Sequence, residues 1–129
     1  MKPRETALRL KRFEAEEKAR KVADIEYMIR DFETIASDLD RQIQAEEERT
    51  GIKDPAHFSY STFAKSASAR RDNLRSSAGE LKIKLDAAVK ERDEAAEQLT
   101  RAATAEPREN ERSNGRRRSE RPSTSATMR

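Results

Sequence analysis

The residue types that most often carry chemistry are few in this chain and widely scattered. There is one histidine, His57, and no cysteine. His57 has Asp54 three residues before it and no second carboxylate between 51 and 65. Acid–base work or metal ligation by an imidazole needs a fixed partner beside it, so His57 reads as a solvent-exposed loop histidine. No glycine-rich phosphate loop and no nucleophile elbow occurs. The 25 acidic residues alternate with bases instead of converging. Without cysteine there is no thiolate or disulfide chemistry, which fits a reducing compartment. The expectation is a non-enzyme without metal or cofactor.

Recognition is the chemistry that remains. Phe58, Tyr60 and Phe63 fall within six residues, with Ile52 close by, and make up half of the six aromatic residues. Aromatic side chains dominate the energetics of interfaces. Two readings of this group stand: a plug that closes a turn, or an exposed patch for another protein. The run Arg116-Arg117-Arg118 is suited to phosphates, but Glu106, Glu109, Glu111 and Glu120 interrupt its surroundings. The seven Arg and four Glu of 105–129 account for the whole net charge of +3, so the first 104 residues are neutral. With no basic face on the body, a solvated tail is expected and no nucleic-acid partner.

The elements that must position these residues are helices. Val22, Ile25, Ile29, Phe32, Ala36, Leu39 and Ile43 follow one another by steps of three and four. That seven-residue period gives a helix one narrow apolar stripe, which a second helix must cover. The chain is 33% hydrophobic and 41% charged, with a mean hydropathy of −1.11. That balance is too polar for an ordinary globular core; it suits long helices paired along a seam. Backwards the stripe continues through Leu8, Lys11, Ala15 and Lys18, much weaker than its centre.

Pro3 suits a first helical turn and Thr50-Gly51 suits a helix end. A helix over 3–50 would be about 70 Å long. Asp54-Pro55 reads as a cap followed by a first-turn proline. A second stripe begins at Tyr60 and continues through Ala64, Ala67, Arg71, Leu74, Ala78, Leu81, Leu85, Ala88, Arg92, Ala95 and Leu99. The short connector 51–59 favours antiparallel neighbours. A register that sets Phe32 against Ala78, Ala36 against Leu74, Ile29 against Leu81 and Ile25 against Leu85 places large side chains opposite small or complementary ones. Acid-before-base pairs four residues apart, such as Glu14–Lys18, Glu80–Lys84 and Glu97–Arg101, support both helices. Gly79 weakens the second by about 1 kcal/mol.

The expected architecture is all-α: 1–104 an antiparallel coiled-coil hairpin, with helices at about 3–50 and 60–104, and 105–129 a disordered Arg/Ser-rich tail. The same register brings Lys18 near Arg92 and Lys11 near Leu99, so the end with both termini is poorly sealed. It should fray or be covered by a partner. No segment approaches the ~18 apolar residues of a membrane span, and the N-terminus lacks the apolar core of a signal peptide. A cytoplasmic protein is expected.

The stretch Leu8-Arg9-Leu10-Lys11-Arg12-Phe13, followed by Glu16-Glu17-Lys18 and an unbroken helix, resembles the flagellar export protein FliJ family. Gly51 to Lys65 and Arg70-Arg71-Asp72-Asn73-Leu74 resemble the connector of its short alphaproteobacterial members. The resemblance covers about residues 4–104. It implies a non-enzymatic stalk or adaptor of the flagellar type III protein export apparatus, at the cytoplasmic side of the basal body. The implied partners are the export ATPase ring, the membrane export gate protein and export chaperones. Under this reading Lys11, Lys18 and Arg92 suit the ATPase and Phe58, Tyr60 and Phe63 suit the gate. The alternative is a general coiled-coil scaffold or dimerisation protein.

Overall fold

A computed structural model describes residues 2–120 along the backbone and 2–105 with side chains. Two helices make up the described chain, α1 (Pro3–Thr50) and α2 (Thr62–Glu120). They pack against each other as a helical hairpin, and the chain divides into two compact units: 19–90, and 1–18 with 91–129.

The unit 19–90 holds the apolar packing. One cluster joins Val22, Ile25 and Ile29 of α1 to Ala88 of α2, with Leu81, Leu85 and Val89 packed against it. A second joins Leu39 and Ile43 to Tyr60, Ala64 and Ala67, with Ile35, Ile52 and Leu74 alongside. The pairings Ile25 with Leu85 and Ile29 with Leu81 thus share one cluster, as the sequence register requires. The two helices contribute unequally. α1 buries mostly Val, Ile and Leu, whereas the fully buried positions of α2 are all alanine: Ala64, Ala67, Ala78 and Ala88. Small residues on one helix let the large ones of the other approach its backbone. Phe32 is only half-buried.

Polar pairs flank this seam. Arg71 occupies a seam position, yet its guanidinium reaches Asp40 at 2.8 Å and Asp72 at 3.0 Å. Arg75 also bonds Asp40, and Lys82 meets Glu33 at 3.3 Å. The Arg71 hydrogen bond, opposed in part by burial, holds the Asp40 carboxyl below its ordinary range. A long side chain at an apolar position is tolerated because its stem packs while its charged head turns outward to a partner.

In the connector, Gly51 closes α1 as expected. Its φ is +75°, and its N–H donates to the Glu47 carbonyl at 2.8 Å, the left-handed cap that glycine adopts without steric cost. Asp54-Pro55 does something else. The Asp54 carboxylate accepts from Ala56 N–H at 2.9 Å and its carbonyl from His57 N–H at 3.0 Å. This is a turn with proline at its second position, not a helix start. A second turn follows, Tyr60 N–H to His57 carbonyl at 3.0 Å. The cap of α2 is Ser61, whose Oγ accepts from Ala64 N–H at 3.2 Å. α2 therefore begins two residues later than expected, because the serine hydroxyl sits where an N-terminal N–H needs an acceptor.

At its other end α2 keeps a helical backbone to Glu120, past the expected limit near 104. The Arg and Glu residues of 105–120 have helix propensity, but Pro107 and Gly115 oppose it and no apolar stripe supports the extension. The tail expected over 105–129 falls almost wholly outside the described side chains, and 121–129 lies outside the described residues.

The unit containing both termini has a different seam. Its expected positions Leu8, Lys11, Ala15, Lys18, Arg92, Ala95 and Leu99 are all half-buried, and none is fully buried. Charged and amide groups fill it: Lys11 Nζ donates to Gln98 Oε1 at 3.1 Å, and Lys18 Nζ lies 3.3 Å from Glu91 Oε2.

Candidate partner-binding surfaces

The three tip aromatics have separate fates. Tyr60 is buried among Leu39, Ile43, Ala64 and Ala67, and its hydroxyl donates to Glu47 Oε2 at 2.7 Å. That bond, with burial, raises the phenol above its ordinary value. Tyr60 is thus a plug and presents no surface for a partner, because the ring replaces the apolar cover that the end of a hairpin lacks. Phe63 points outward, 52% exposed. Phe58 is 95% exposed, with the His57 ring stacked on it at 4.7 Å and 21°. Tyr60 is buried as the plug reading requires, whereas Phe58 and Phe63 are exposed.

The position of Phe58 is well fixed. It is the second residue of the turn from His57 to Tyr60, and His57 Nδ1 accepts from Ser59 N–H at 3.0 Å. An apolar ring left in water on a hydrogen-bonded loop loses little freedom when a partner covers it, which favours its use as an anchor. Glu46 and Arg49 pair on the last turn of α1. The Arg49 guanidinium lowers the Glu46 carboxyl, and Glu46 raises Arg49 in return.

Of the cations expected to meet a partner, Lys11 and Lys18 are engaged across the seam as described. Lys11 also lies 3.8 Å from Glu14. Arg92, half-buried, pairs with its neighbour Asp93 at 3.1 Å. A cleft of about 240 Å³ opens beside Lys18, lined by Glu14, Glu91, Glu94, Ala95 and Gln98. The expected Glu14–Lys18 pair gives way to Lys18–Glu91, whereas Glu97–Arg101 forms at 3.5 Å. A lysine at a seam position is closer to the opposite helix than to its own outer face.

Residues that the seam argument passed over also reach the surface. Leu10 is 55%, Phe13 57%, Tyr27 66% and Ile83 72% exposed. The signal was present: each is a large apolar residue outside the two seam places of its heptad. Among the described residues no cluster of His, Cys, Asp and Glu is arranged to hold a metal, and no helix is long and apolar enough to cross a membrane.

Comparison with known proteins gives no match: no family model, no curated protein and no solved structure is similar to the chain.

Proposed function

We propose that the protein is a non-enzymatic stalk or adaptor of a flagellar type III protein export apparatus, coupling an export ATPase to the membrane export gate and to export chaperones. One observation carries the adaptor part of this reading. The buried apolar residues of the described chain all lie within 19–90, while in the unit with the termini Leu8, Ala15, Ala95 and Leu99 are only half-buried and share the seam with Lys11, Lys18, Glu91 and Gln98. A seam of that kind spends little apolar surface internally and keeps charged groups near the surface for a polar partner. Phe58, on its hydrogen-bonded connector, is a separate apolar anchor. The assignment to flagellar export rests on the connector and opening segments of the sequence.

The test is capture of the export ATPase and the export gate protein of the same organism by the tagged full-length chain. The reading expects both to be retained. Reversing Lys11, Lys18 and Arg92 to glutamate should release the ATPase, and Phe58→Ala should release the gate, with helicity by circular dichroism unchanged. A helical chain that retains neither protein contradicts the reading and leaves a general coiled-coil scaffold.

A further inference from the structure

The connector builds two consecutive turns by the same means, with a different kind of acceptor in each. In the first, the Asp54 carboxylate accepts from Ala56 N–H at 2.9 Å and the Asp54 carbonyl accepts from His57 N–H at 3.0 Å. In the second, His57 takes the place that Asp54 has in the first. Its Nδ1 accepts from Ser59 N–H at 3.0 Å, and its carbonyl accepts from Tyr60 N–H at 3.0 Å. A side chain that opens a turn and accepts from the N–H two residues on is usually Asp, Asn or Ser, whose oxygen is a lasting acceptor. An imidazole nitrogen accepts only while it carries no proton.

That difference decides what acid does to each turn. A carboxylate stays ionised between about pH 5 and about pH 8, whereas an imidazole changes charge inside that span. The neutral His57 ring, with its proton on Nε2, holds Ser59. The imidazolium instead sets a second N–H against the Ser59 N–H, and two donors cannot bond. The turn then keeps only its Tyr60 bond. Phe58 is the second residue of this turn, 95% exposed and stacked on the same His57 ring, so its direction depends on both bonds.

The polar contacts of the flanking elements leave the imidazole proton to water. Asp54, in the connector, holds Ala56 N–H, and Lys53 is exposed. Near the end of α1, Glu46 pairs with Arg49 and Glu47 receives the Tyr60 hydroxyl. At the start of α2, Lys65 is exposed. The His57 ring itself meets Ser59 N–H and Phe58.

We infer that His57 is a pH-sensitive latch on the turn that presents Phe58: the neutral imidazole locks the turn, and protonation through the range where an imidazole titrates releases it. The chain holds no other histidine, so the latch has a single titrating group in that range.

The experiment is water–amide exchange of Ser59 in the full-length chain, read by NMR from about pH 8 to about pH 5 and expressed as protection against the unstructured rate at each pH. Ser59 should be protected about three- to tenfold at the alkaline end, the effect of one net hydrogen bond. Protection should vanish at the acid end, with a midpoint that coincides with the titration of the His57 ring resonances. His57→Asn supplies an acceptor that does not titrate, and should keep Ser59 protected at both ends. His57→Ala should leave it unprotected at both. His57 is exposed, so circular dichroism should be the same in all three chains. Both readouts belong to the free chain, so the result is independent of what Phe58 docks onto. A Ser59 amide unprotected at the alkaline end, or equally protected at both ends in the parent, overturns the inference. So does a His57→Asn variant that loses protection in acid as the parent does.

Discussion

The unit 19–90 and the paired helix segments 3–18 and 91–104 carry the same heptad, yet they are held by different forces. In the first, Val22, Ile25, Ile29, Leu39 and Ile43 close over the alanines of α2. In the second, the equivalent places are Lys11, Lys18 and Arg92, with Leu8, Ala15, Ala95 and Leu99 only half-buried. Periodicity makes a face. The chemistry of the residues on that face decides whether it becomes a core or a surface that still has bonds to offer.

The sharpest way to break this comparison is to remove one seam side chain from each unit. Ile29→Ala should cost about 3 kcal/mol in chemical denaturation, a buried branched chain being replaced by a cavity. Leu8→Ala should cost about 1 kcal/mol, because half of its surface burial is all that is lost. Equal costs would mean the two seams are sealed alike.

Polar groups that support the 19–90 packing come next. Tyr60→Phe should cost about 1 kcal/mol at neutral pH through loss of the Glu47 bond. Because the phenol is raised in the folded state, the bond's contribution is complete below the ordinary tyrosine range. It is lost as pH climbs through the raised value, so the variant and parent should converge at strongly alkaline pH. Asp40→Asn should cost up to about 1 kcal/mol, as partly exposed ion pairs do. Here the sign is opposite. The carboxyl is lowered, so its contribution is present above the ordinary carboxylate range and disappears as pH falls through the lowered value. An acid titration of the melting temperature should therefore be flatter in Asp40→Asn than in the parent.

Two smaller effects sharpen the same picture. Gly79→Ala should raise stability by about 0.5–1 kcal/mol, since a Cβ there meets nothing within 4 Å and the helix gains propensity. Phe58→Ala should change thermal stability by less than about 0.5 kcal/mol, because the ring is almost wholly exposed and stacks on the His57 ring. A large loss would make Phe58 part of the fold rather than a free anchor.

Much of this was legible in the sequence. Each residue of the two predicted stripes is buried or half-buried, because a 3.5-residue period can be satisfied only by a helix with a single covered side. Gly51 was equally plain, since few residues adopt a positive φ. The connector was less so. Asp-Pro suits a helix start and a tight turn equally, and only the placement of the Ser61 hydroxyl decides between them. The aromatics could not be sorted because composition reports their number, not which ring lies over Leu39 and Ile43. Phe58 and Tyr60 are two residues apart, and the turn between them sends one outward and the other in. Leu10 and Phe13 escaped the seam argument because they lie on the face that it discards.

The most direct test of the central comparison is native-state hydrogen exchange along α1, one continuous helix that runs through both kinds of seam. Amides from about Val22 to Ile43 should exchange only through global unfolding, and those from about Leu8 to Lys18 orders of magnitude faster through local opening. A step in protection near residue 18 is the predicted result. Uniform protection from Leu8 to Ile43 would show that the polar seam is sealed as firmly as the apolar one, and would contradict the account.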